Sequence, residues 1–309
     1  MKHAFAAAIS LAFLVAFSAA HGEEGVSFVP QTDSLQIKIA GRPFATYVFR
    51  DDKIPRPYLG HVRAPDGTQV TRNHPPVEGQ DATDHDTFHP GIWLAFGDLS
   101  GADFWRNKAT VKHLEFVEKP AADSGGGRFA VKNRYLSGDK TICDELCRIA
   151  IRVRPSGYLV VWDSQFSGPD DFYFGDQEEL GLGVRVATPL AVKNGGRMTN
   201  SNGLVNEKQI WGKQADWCDY SGTIDGRPLG ILLVPDPRNF RSSWFHARDY
   251  GFLAANPFGR KAFTGGAKSK VTVGKGESLR LRYAVLIHSG PIDLQAANRD
   301  ALSVLEAAR

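Results

Sequence analysis

The sequence predicts an all-β protein, a large antiparallel β-sandwich with one short helix near its C-terminus. Two observations carry this prediction. Apolar and polar residues alternate in many short segments, as they do in strands with one buried face. The 32 glycines and 17 prolines lie mostly between those segments, where the chain has to turn.

The predicted strands follow one another along most of the chain. The clearest hairpin joins 148–154 to 158–162, because Pro155-Ser156-Gly157 separates two alternating runs. Further strands are predicted at 35–39, 45–49, 111–117, 128–135, 182–186, 229–234 and 279–287.

The helix and one long loop complete the predicted architecture. Pro291 marks the start of the helix, and apolar residues between 294 and 305 recur near the helical period. The polar stretch 51–90 is too long for a simple connection, and loops of that length are typically functional or partly disordered.

The N-terminus predicts a signal peptide. Lys2 precedes the apolar run 4–17, and Ser18-Ala19-Ala20 then provides the small residues of a cleavage site. That run is shorter than the roughly 20 residues that span a bilayer. We therefore expect residues 1–22 to be removed, 23–309 to form one β-sandwich domain, and the protein to be secreted or periplasmic.

Charge and hydropathy limit the partners. The formal net charge is only +3 and the charges are interspersed, which argues against a nucleic-acid partner. No second long apolar stretch follows the signal, so no membrane span is expected after cleavage.

Three cysteines leave the disulfide pattern open. Cys143 and Cys147 on one extended strand would have Cα atoms about 13 Å apart, whereas a disulfide needs less than about 7 Å. They can pair only if 144–146 forms a turn. Pairing of either with Cys218, or three buried thiols, are the alternatives.

The first cluster of candidate functional residues lies in the stretch 84–105. It contains His85, His89 and Trp93, and with His61 and His74 it places four of the nine histidines within 29 residues. Histidine serves as an acid–base group near neutral pH or as a metal ligand, so both interpretations are open, beside a purely structural one.

The second cluster, 176–185, leads from an acidic loop into a strand. Either Glu178 or Glu179 is a candidate general base if burial raises its pKa, and we prefer Glu179 because it is nearer the strand. A solvated acidic loop is the alternative interpretation.

The third cluster, 244–259, combines aromatic, charged and amide side chains. In an alternating strand Trp244, His246, Arg248 and Tyr250 share one face, which indicates a floor for a sugar ring. A buried, hydrogen-bonded strand is the alternative. The further candidates for substrate contact are Asp249, Asn256 and, in a related segment, Lys213.

These motifs resemble a known family. His89-Pro-Gly-Ile-Trp93 with Asp103-Phe-Trp105, Trp211-Gly-Lys213 with Asp219-Tyr-Ser-Gly222, and His246-Ala-Arg248-Asp-Tyr-Gly251 with Asn256-Pro-Phe-Gly259 are similar to the PmoA-like or DUF6807 family. The resemblance runs from about 33 to 289 and implies no settled reaction. Its label suggests a methane monooxygenase subunit, an integral membrane protein, which the hydropathy of this chain contradicts.

The chain is also similar in character to the galactose-mutarotase-like supersandwich. That likeness implies a histidine that protonates a ring or leaving oxygen and a carboxylate that takes a proton. It suggests His85, His89 or His246 as the acid and Glu179 as the base.

The preferred interpretation is a carbohydrate-active enzyme, an epimerase, lyase or hydrolase, that requires no cofactor or metal. One alternative is a non-catalytic carbohydrate-binding sandwich. The other is a metal protein built on the histidine-rich loop, for which zinc would need three or four ligands. The enzyme interpretation requires the three clusters to meet in space.

Overall fold

The structure is a computed structural model that describes residues 25–123 and 125–307. The predicted signal peptide, 1–22, lies outside the described residues and stays a prediction. Within the described part of the chain, no helix combines the length and the hydropathy needed to cross a membrane.

Nineteen strands are present in the described residues. In chain order they are β1 (Val26–Pro30), β2 (Ser34–Ile39), β3 (Arg42–Val48), β4 (Tyr58–Gly60), β5 (Ile92–Phe96), β6 (Thr110–Asp123), β7 (Gly126–Ser137), β8 (Lys140–Arg154), β9 (Gly157–Ser167), β10 (Phe172–Phe174), β11 (Leu180–Arg185), β12 (Arg197–Asn200), β13 (Lys213–Gln214), β14 (Cys218–Ile224), β15 (Arg227–Pro235), β16 (Trp244–Arg248), β17 (Phe252–Asn256), β18 (Val271–Val273) and β19 (Leu279–Ser289).

Two large antiparallel sheets organise these strands. The nine-stranded sheet has the order β1-β2-β3-β4-β5-β11-β17-β16-β13, and the eight-stranded sheet has the order β12-β14-β15-β19-β9-β8-β7-β6. Strands β10 and β18 form a separate pair. The predicted all-β sandwich is confirmed, and every strand predicted from alternation is present.

Three helices connect or cover the sheets. They are α1 (Asn206–Ile210), α2 (Arg260–Thr264) and α3 (Leu294–Ala307). The last is the predicted helix. Its first turn is capped by Asp293, whose carboxylate accepts hydrogen bonds from the backbone N–H groups of Gln295 and Ala296. Its buried residues pack on the outer face of the eight-stranded sheet.

The core lies between the two sheets, and a second apolar cluster lies on the other face of the nine-stranded sheet. Because side chains alternate along a strand, Leu94 of β5 enters the core while Trp93 points away from it. Trp93 packs there with Trp105 and Phe252. This second cluster is the foundation of the candidate site.

The cysteines are unpaired and buried. Cys143 and Cys147 both lie in the continuous strand β8, where Asp144, Glu145 and Leu146 pair with β7 instead of turning. The turn that a Cys143–Cys147 disulfide needs is therefore absent. Burial raises the pKa of all three thiols well above the usual value, so they act as small apolar side chains.

Candidate functional site

The candidate site lies on the face of the nine-stranded sheet that is turned away from the core. In β16, Phe245 and Ala247 enter the core, so Trp244, His246 and Arg248 share the opposite face, as the alternation predicts. Tyr250 lies beyond the end of the strand, in the turn to β17, and reaches the same cluster by stacking on His85.

Buried Arg72 holds the loop that carries His85 and His89. Its guanidinium donates hydrogen bonds to the backbone carbonyls of residues 82, 84, 85 and 89 at 2.8, 2.5, 3.2 and 3.2 Å. The Arg72 side chain has no exposed surface. Burial, followed by the neighbouring positive charge of Arg185, lowers the pKa of Arg72 to about 10, so it remains charged at neutral pH.

A second buried arginine ties this loop to the segment 103–107. Arg56 donates to the carbonyls of Phe88, Phe104 and Trp105 and to the side chain of Asn107. Burial lowers the pKa of Arg56 to about 9. The long loop 51–90 is thus anchored by arginines at points where its own backbone makes few regular hydrogen bonds.

Four rings are stacked in a column beneath the site. From top to bottom the column consists of Tyr250, His85, His89 and Trp93. The distances between successive ring centroids are 5.3, 4.8 and 4.9 Å. Phe252 contacts both His89, at 4.7 Å, and His246, at 4.9 Å. The three predicted histidines therefore belong to one cluster.

Gly183 of β11 makes this packing possible. A Cβ at this position would lie 2.8 Å from the Trp93 ring and 3.1 Å from the Trp105 ring, closer than real Cβ contacts. The two indoles consequently sit directly on the sheet and close the floor of the site.

His89 and Trp93 are buried too deeply to contact a substrate in this conformation. Both are at most 1% exposed. Burial, then the charges of His85 and Arg185, lowers the pKa of His89 well below its usual value, so its ring is neutral. Both of its ring nitrogens lack a hydrogen-bond partner among the described residues. His89 supports the ring of His85 from below.

His85 is oriented by Asp84. The Nδ1 of His85 lies 2.8 Å from Asp84 Oδ2, and Arg185 donates two hydrogen bonds to the same carboxylate at 2.8 and 2.7 Å. Burial alone would raise the pKa of Asp84, but the hydrogen bonds from Arg185 and His85 outweigh it and lower that pKa to about 2. Asp84 therefore stays ionised, and Nδ1 of His85 is the donor.

The remaining nitrogen of His85 is available. The side chain is 37% exposed, and Nε2 makes no hydrogen bond within the described part of the chain. The backbone at His85 has a φ of 52°, a conformation that is uncommon for residues other than glycine and occurs often at functional sites.

His246 is held in the same manner by a different partner. Its Nδ1–H donates to the backbone carbonyl of Glu178 at 3.1 Å, which leaves a lone pair on Nε2. That Nε2 is buried without a hydrogen bond and lies 3.8 Å from Glu178 Oε2. Burial, then the positive charge of Arg248, lowers the pKa of His246 to about 3.

Glu178, and not the preferred Glu179, is the carboxylate beside His246. Glu179 forms an ion pair with Arg106. Glu178 is 39% exposed and also lies 3.4 Å from Arg248. Both residues lie in a bend before β11, which begins at Leu180, so strand alternation does not decide which of them lies beside His246.

Arg248 connects Glu178 to a second carboxylate. It donates to Glu207 of α1 at 2.9 Å, and its guanidinium lies 5.8 Å from the half-buried ring of Trp211. The backbone N–H of Asp249 donates to the other oxygen of Glu207 at 2.9 Å, while the Asp249 carboxylate accepts from the N–H of Glu207 at the same distance. Asp249 thus fixes α1 at the edge of the site.

Three further predicted substrate contacts are Asn256, Trp244 and Lys213, of which the first two are buried and the third is exposed. Asn256 is fully buried and bonds the carbonyls of Gln177 and Glu178, so it positions the Glu178 segment. Trp244 is 7% exposed and packs near Phe263 and Arg241. Lys213 is exposed on the edge strand β13. The residues that sequence reasoning missed are Arg56, Arg72, Arg106, Arg185, Glu207 and Trp211.

The family follows from the sequence over most of its length. Residues 34–302 match the model of a family of unknown function, DUF6807. This chain belongs to the DUF6807 family. A search of curated proteins gives no match to this DUF6807 chain.

Solved structures with distant likeness to this DUF6807 protein include two galactose mutarotase-like proteins. The one from Lactobacillus casei ATCC 334 is 11% identical with a TM-score of 0.42, over 85% of this chain and 100% of that chain. The one from Clostridium acetobutylicum is 9% identical with a TM-score of 0.42, over 87% and 99%. An α-galactosidase from Lactobacillus brevis is 11% identical with a TM-score of 0.41, over 90% of this chain and 41% of that chain. No activity follows from likenesses this distant.

The histidine-rich loop of the DUF6807 chain does not assemble a metal site in the described residues. No group of three or more His, Cys, Asp or Glu side chains there is arranged to hold an ion. His74 lies 3.6 Å from Asp51 and packs against Tyr58, whereas His85 and His89 belong to the ring column.

The free energy of unfolding of this DUF6807 protein is expected to decrease as the pH is lowered from about 6.5 to 3, partly because of His246. The unfolded chain protonates this histidine below about pH 6.5, while the folded chain keeps it neutral until pH about 3. Unfolding therefore takes up a proton in this window, and each such proton contributes about 1.4 kcal/mol per pH unit. His89 acts in the same direction.

His246→Asn tests this linkage, because asparagine can still donate to the Glu178 carbonyl but cannot titrate. The free energy of unfolding is measured with denaturant at pH 6, 5 and 4. Its slope against pH should be smaller in the variant by nearly 1.4 kcal/mol per pH unit, which corresponds to one proton. Equal slopes in the two proteins would show that His246 is not held neutral.

Proposed function

We propose that this DUF6807 protein is a carbohydrate-active enzyme that works by acid–base catalysis. One observation carries the proposal. On one face of the nine-stranded sheet, His85 and His246 are each held through Nδ1, each leaves Nε2 without a partner, and the Glu178 carboxylate stands beside one of them. Side chains restrained in this way are typical of proton transfer at defined positions.

His85 is the better proton-transfer group of the two. An effective acid–base group has a pKa near the working pH, and His246, with a pKa of about 3, is a weak base. His85 is partly exposed and is oriented by an ionised aspartate, the arrangement that fixes the tautomer of catalytic histidines. Because Nε2 of His246 is buried, we assign this neutral ring a supporting role beside Glu178 and no direct contact with the substrate.

Glu178 is the carboxylate that completes the reaction. In its protonated form His85 gives a proton from Nε2 to the ring or leaving oxygen of the sugar, while Glu178 removes a proton from a hydroxyl or from a water. One proton enters the substrate and one leaves it, so no cofactor is required. Epimerases and hydrolases both give one proton to the substrate and remove another. The same placement of His85 and Glu178 therefore suits either class of reaction.

The surroundings support a sugar as the substrate. Sugar sites combine aromatic surfaces with a few polar groups that fix hydroxyls. Tyr250 and Trp211 are half-buried, Arg248 lies 3.4 Å from Glu178, and Arg106 pairs with the neighbouring Glu179. The arginines already pair with carboxylates, so the site offers both donors and acceptors to a neutral polyhydroxylated ligand.

A product screen tests the proposal. The protein is incubated with free aldoses, glycosides and uronate-containing oligosaccharides, and NMR follows anomeric exchange, epimers, unsaturated products and released sugars. We expect one class to react with the wild-type protein and with Asp86→Asn, which alters an exposed acidic neighbour, but not with His85→Asn. Saturable sugar binding without any turnover would contradict the enzyme and favour a carbohydrate-binding sandwich.

A further inference from the structure

A cleft with a volume of about 320 Å³ lies on the outer face of the eight-stranded sheet, next to the start of α3. Ser221, Gly230 and His288 are directly opposite one another on the adjacent strands β14, β15 and β19. They share the face on which Leu232 and Leu286 pack against α3. The cleft is therefore separate from the site around His85, which is on the other sheet.

A buried contact between His288 and Asp219 forms the floor of this cleft. His288 Nε2 lies 3.0 Å from Asp219 Oδ1, and the two residues are 4% and 2% exposed. Gly230 permits the contact, because a Cβ there would overlap the His288 ring and the Cβ of Ser221. Burying such a pair costs desolvation energy that an apolar pair would avoid. The His288–Asp219 pair belongs neither to the apolar core nor to the site around His85.

The cleft presents more unfulfilled donors than acceptors. His288 Nδ1 is buried and has no hydrogen-bond partner in the described residues. Exposed Arg197 lines the cleft, donates to Thr199 at 3.2 Å, and forms no ion pair within the described part of the chain. The hydroxyls of Ser221 and Thr223 also line it. Asp219 is the single carboxylate in the lining, and His288 already occupies it.

We propose that this cleft binds a small oxyanion, a phosphate or a carboxylate group. A guanidinium is the side chain best suited to two oxygens of such a group. Nδ1 of His288 forms a hydrogen bond with a third oxygen of the ligand. A charged imidazole donates this bond, and a neutral one accepts it from a protonated oxygen. The hydroxyls of Ser221 and Thr223 add donors beside the positive charge of Arg197, which favours an anion over a neutral sugar.

The test reads His288 directly in the folded protein. Histidine side-chain NMR signals are followed while inorganic phosphate, D-glucuronate or, as a neutral control, D-glucose is added at constant pH and ionic strength. We expect saturable shifts of the His288 signals with at least one anion and none with glucose. Response to phosphate alone indicates a phosphorylated ligand, and response to glucuronate alone an acidic sugar.

Two arginine variants show whether the response comes from the cleft. Arg197→Gln removes an exposed side chain and should weaken the anion about tenfold or more, the effect of losing one hydrogen bond to a charged group. Arg227→Gln removes an exposed arginine outside the lining, which pairs with Asp66 and Asp225, and should leave affinity unchanged. Absence of any saturable His288 response, or equal affinity in Arg197→Gln, overturns the proposal.

Discussion

Replacing His85 by asparagine is expected to lower turnover by about 10²–10⁴-fold, the usual contribution of a positioned acid–base group. Asparagine keeps a donor for Asp84 and tolerates the left-handed backbone found at this position. It has no group at the position of Nε2. The variant should therefore fold normally, with unchanged thermal unfolding, and fail in the chemical step, so kcat should fall more than KM rises.

Asp84→Asn provides the matching test of orientation. The amide donates where the carboxylate accepted, which favours the wrong tautomer of His85, and the loss in kcat should also reach about 10²-fold or more. The control is Asp86→Asn, because Asp86 is exposed and makes no hydrogen bond with the described residues. Full activity of both His85→Asn and Asp84→Asn would remove His85 from the mechanism.

Strand alternation predicted the fold well because it reports a physical requirement. A strand with one buried face must alternate, so β2, β7 and β8 are evident in the sequence. The short strand β4 and the strand β5 were missed, since a strand buried on both faces has no alternation. Strand β11 was predicted at 182–186, although it begins at Leu180.

The site was predicted in part for a similar reason. The chemistry-bearing residues His85, His246 and Arg248 could be selected by type, and the face shared by the latter two by spacing. The choice between Glu178 and Glu179 could not be made, because it depends on Arg106, which is more than 70 residues away in sequence. Asn256 looked like a substrate contact, but its hydrogen bonds serve the backbone.

Arg72 illustrates what a single sequence does not reveal. An arginine in a polar loop is normally solvated, and nothing in 51–90 marks this one as buried. Its role follows from carbonyls 10 to 17 residues later in the chain that regular structure leaves without partners. The loop is ordered because one side chain replaces the hydrogen bonds that a sheet would otherwise supply.

Arg72→Leu is consequently expected to destabilise the protein by about 3–5 kcal/mol, the range for removing one member of a buried charged network. The carbonyls of residues 82, 84 and 89 would lose the Arg72 donor, whereas that of His85 keeps the backbone N–H groups of Phe88 and His89. Each buried polar group left unpaired costs about 1–3 kcal/mol. Relief of the repulsion from Arg185 offsets a little of this, and opening of the loop to water limits the total. Denaturant unfolding measures the change, and hydrogen exchange should show faster exchange in 82–89.

Two further variants separate geometry from charge. Arg72→Lys keeps the positive charge but cannot reach several carbonyls at once, so it should recover little stability. Arg42→Leu removes an exposed arginine with one hydrogen bond, at 3.3 Å to the Pro65 carbonyl, and should change stability by no more than about 0.5 kcal/mol. If Arg72→Lys were as stable as the wild type, charge alone would explain the order of the loop. If instead Arg72→Leu left stability unchanged while turnover was lost, Arg72 would act on the position of His85 without contributing to the fold.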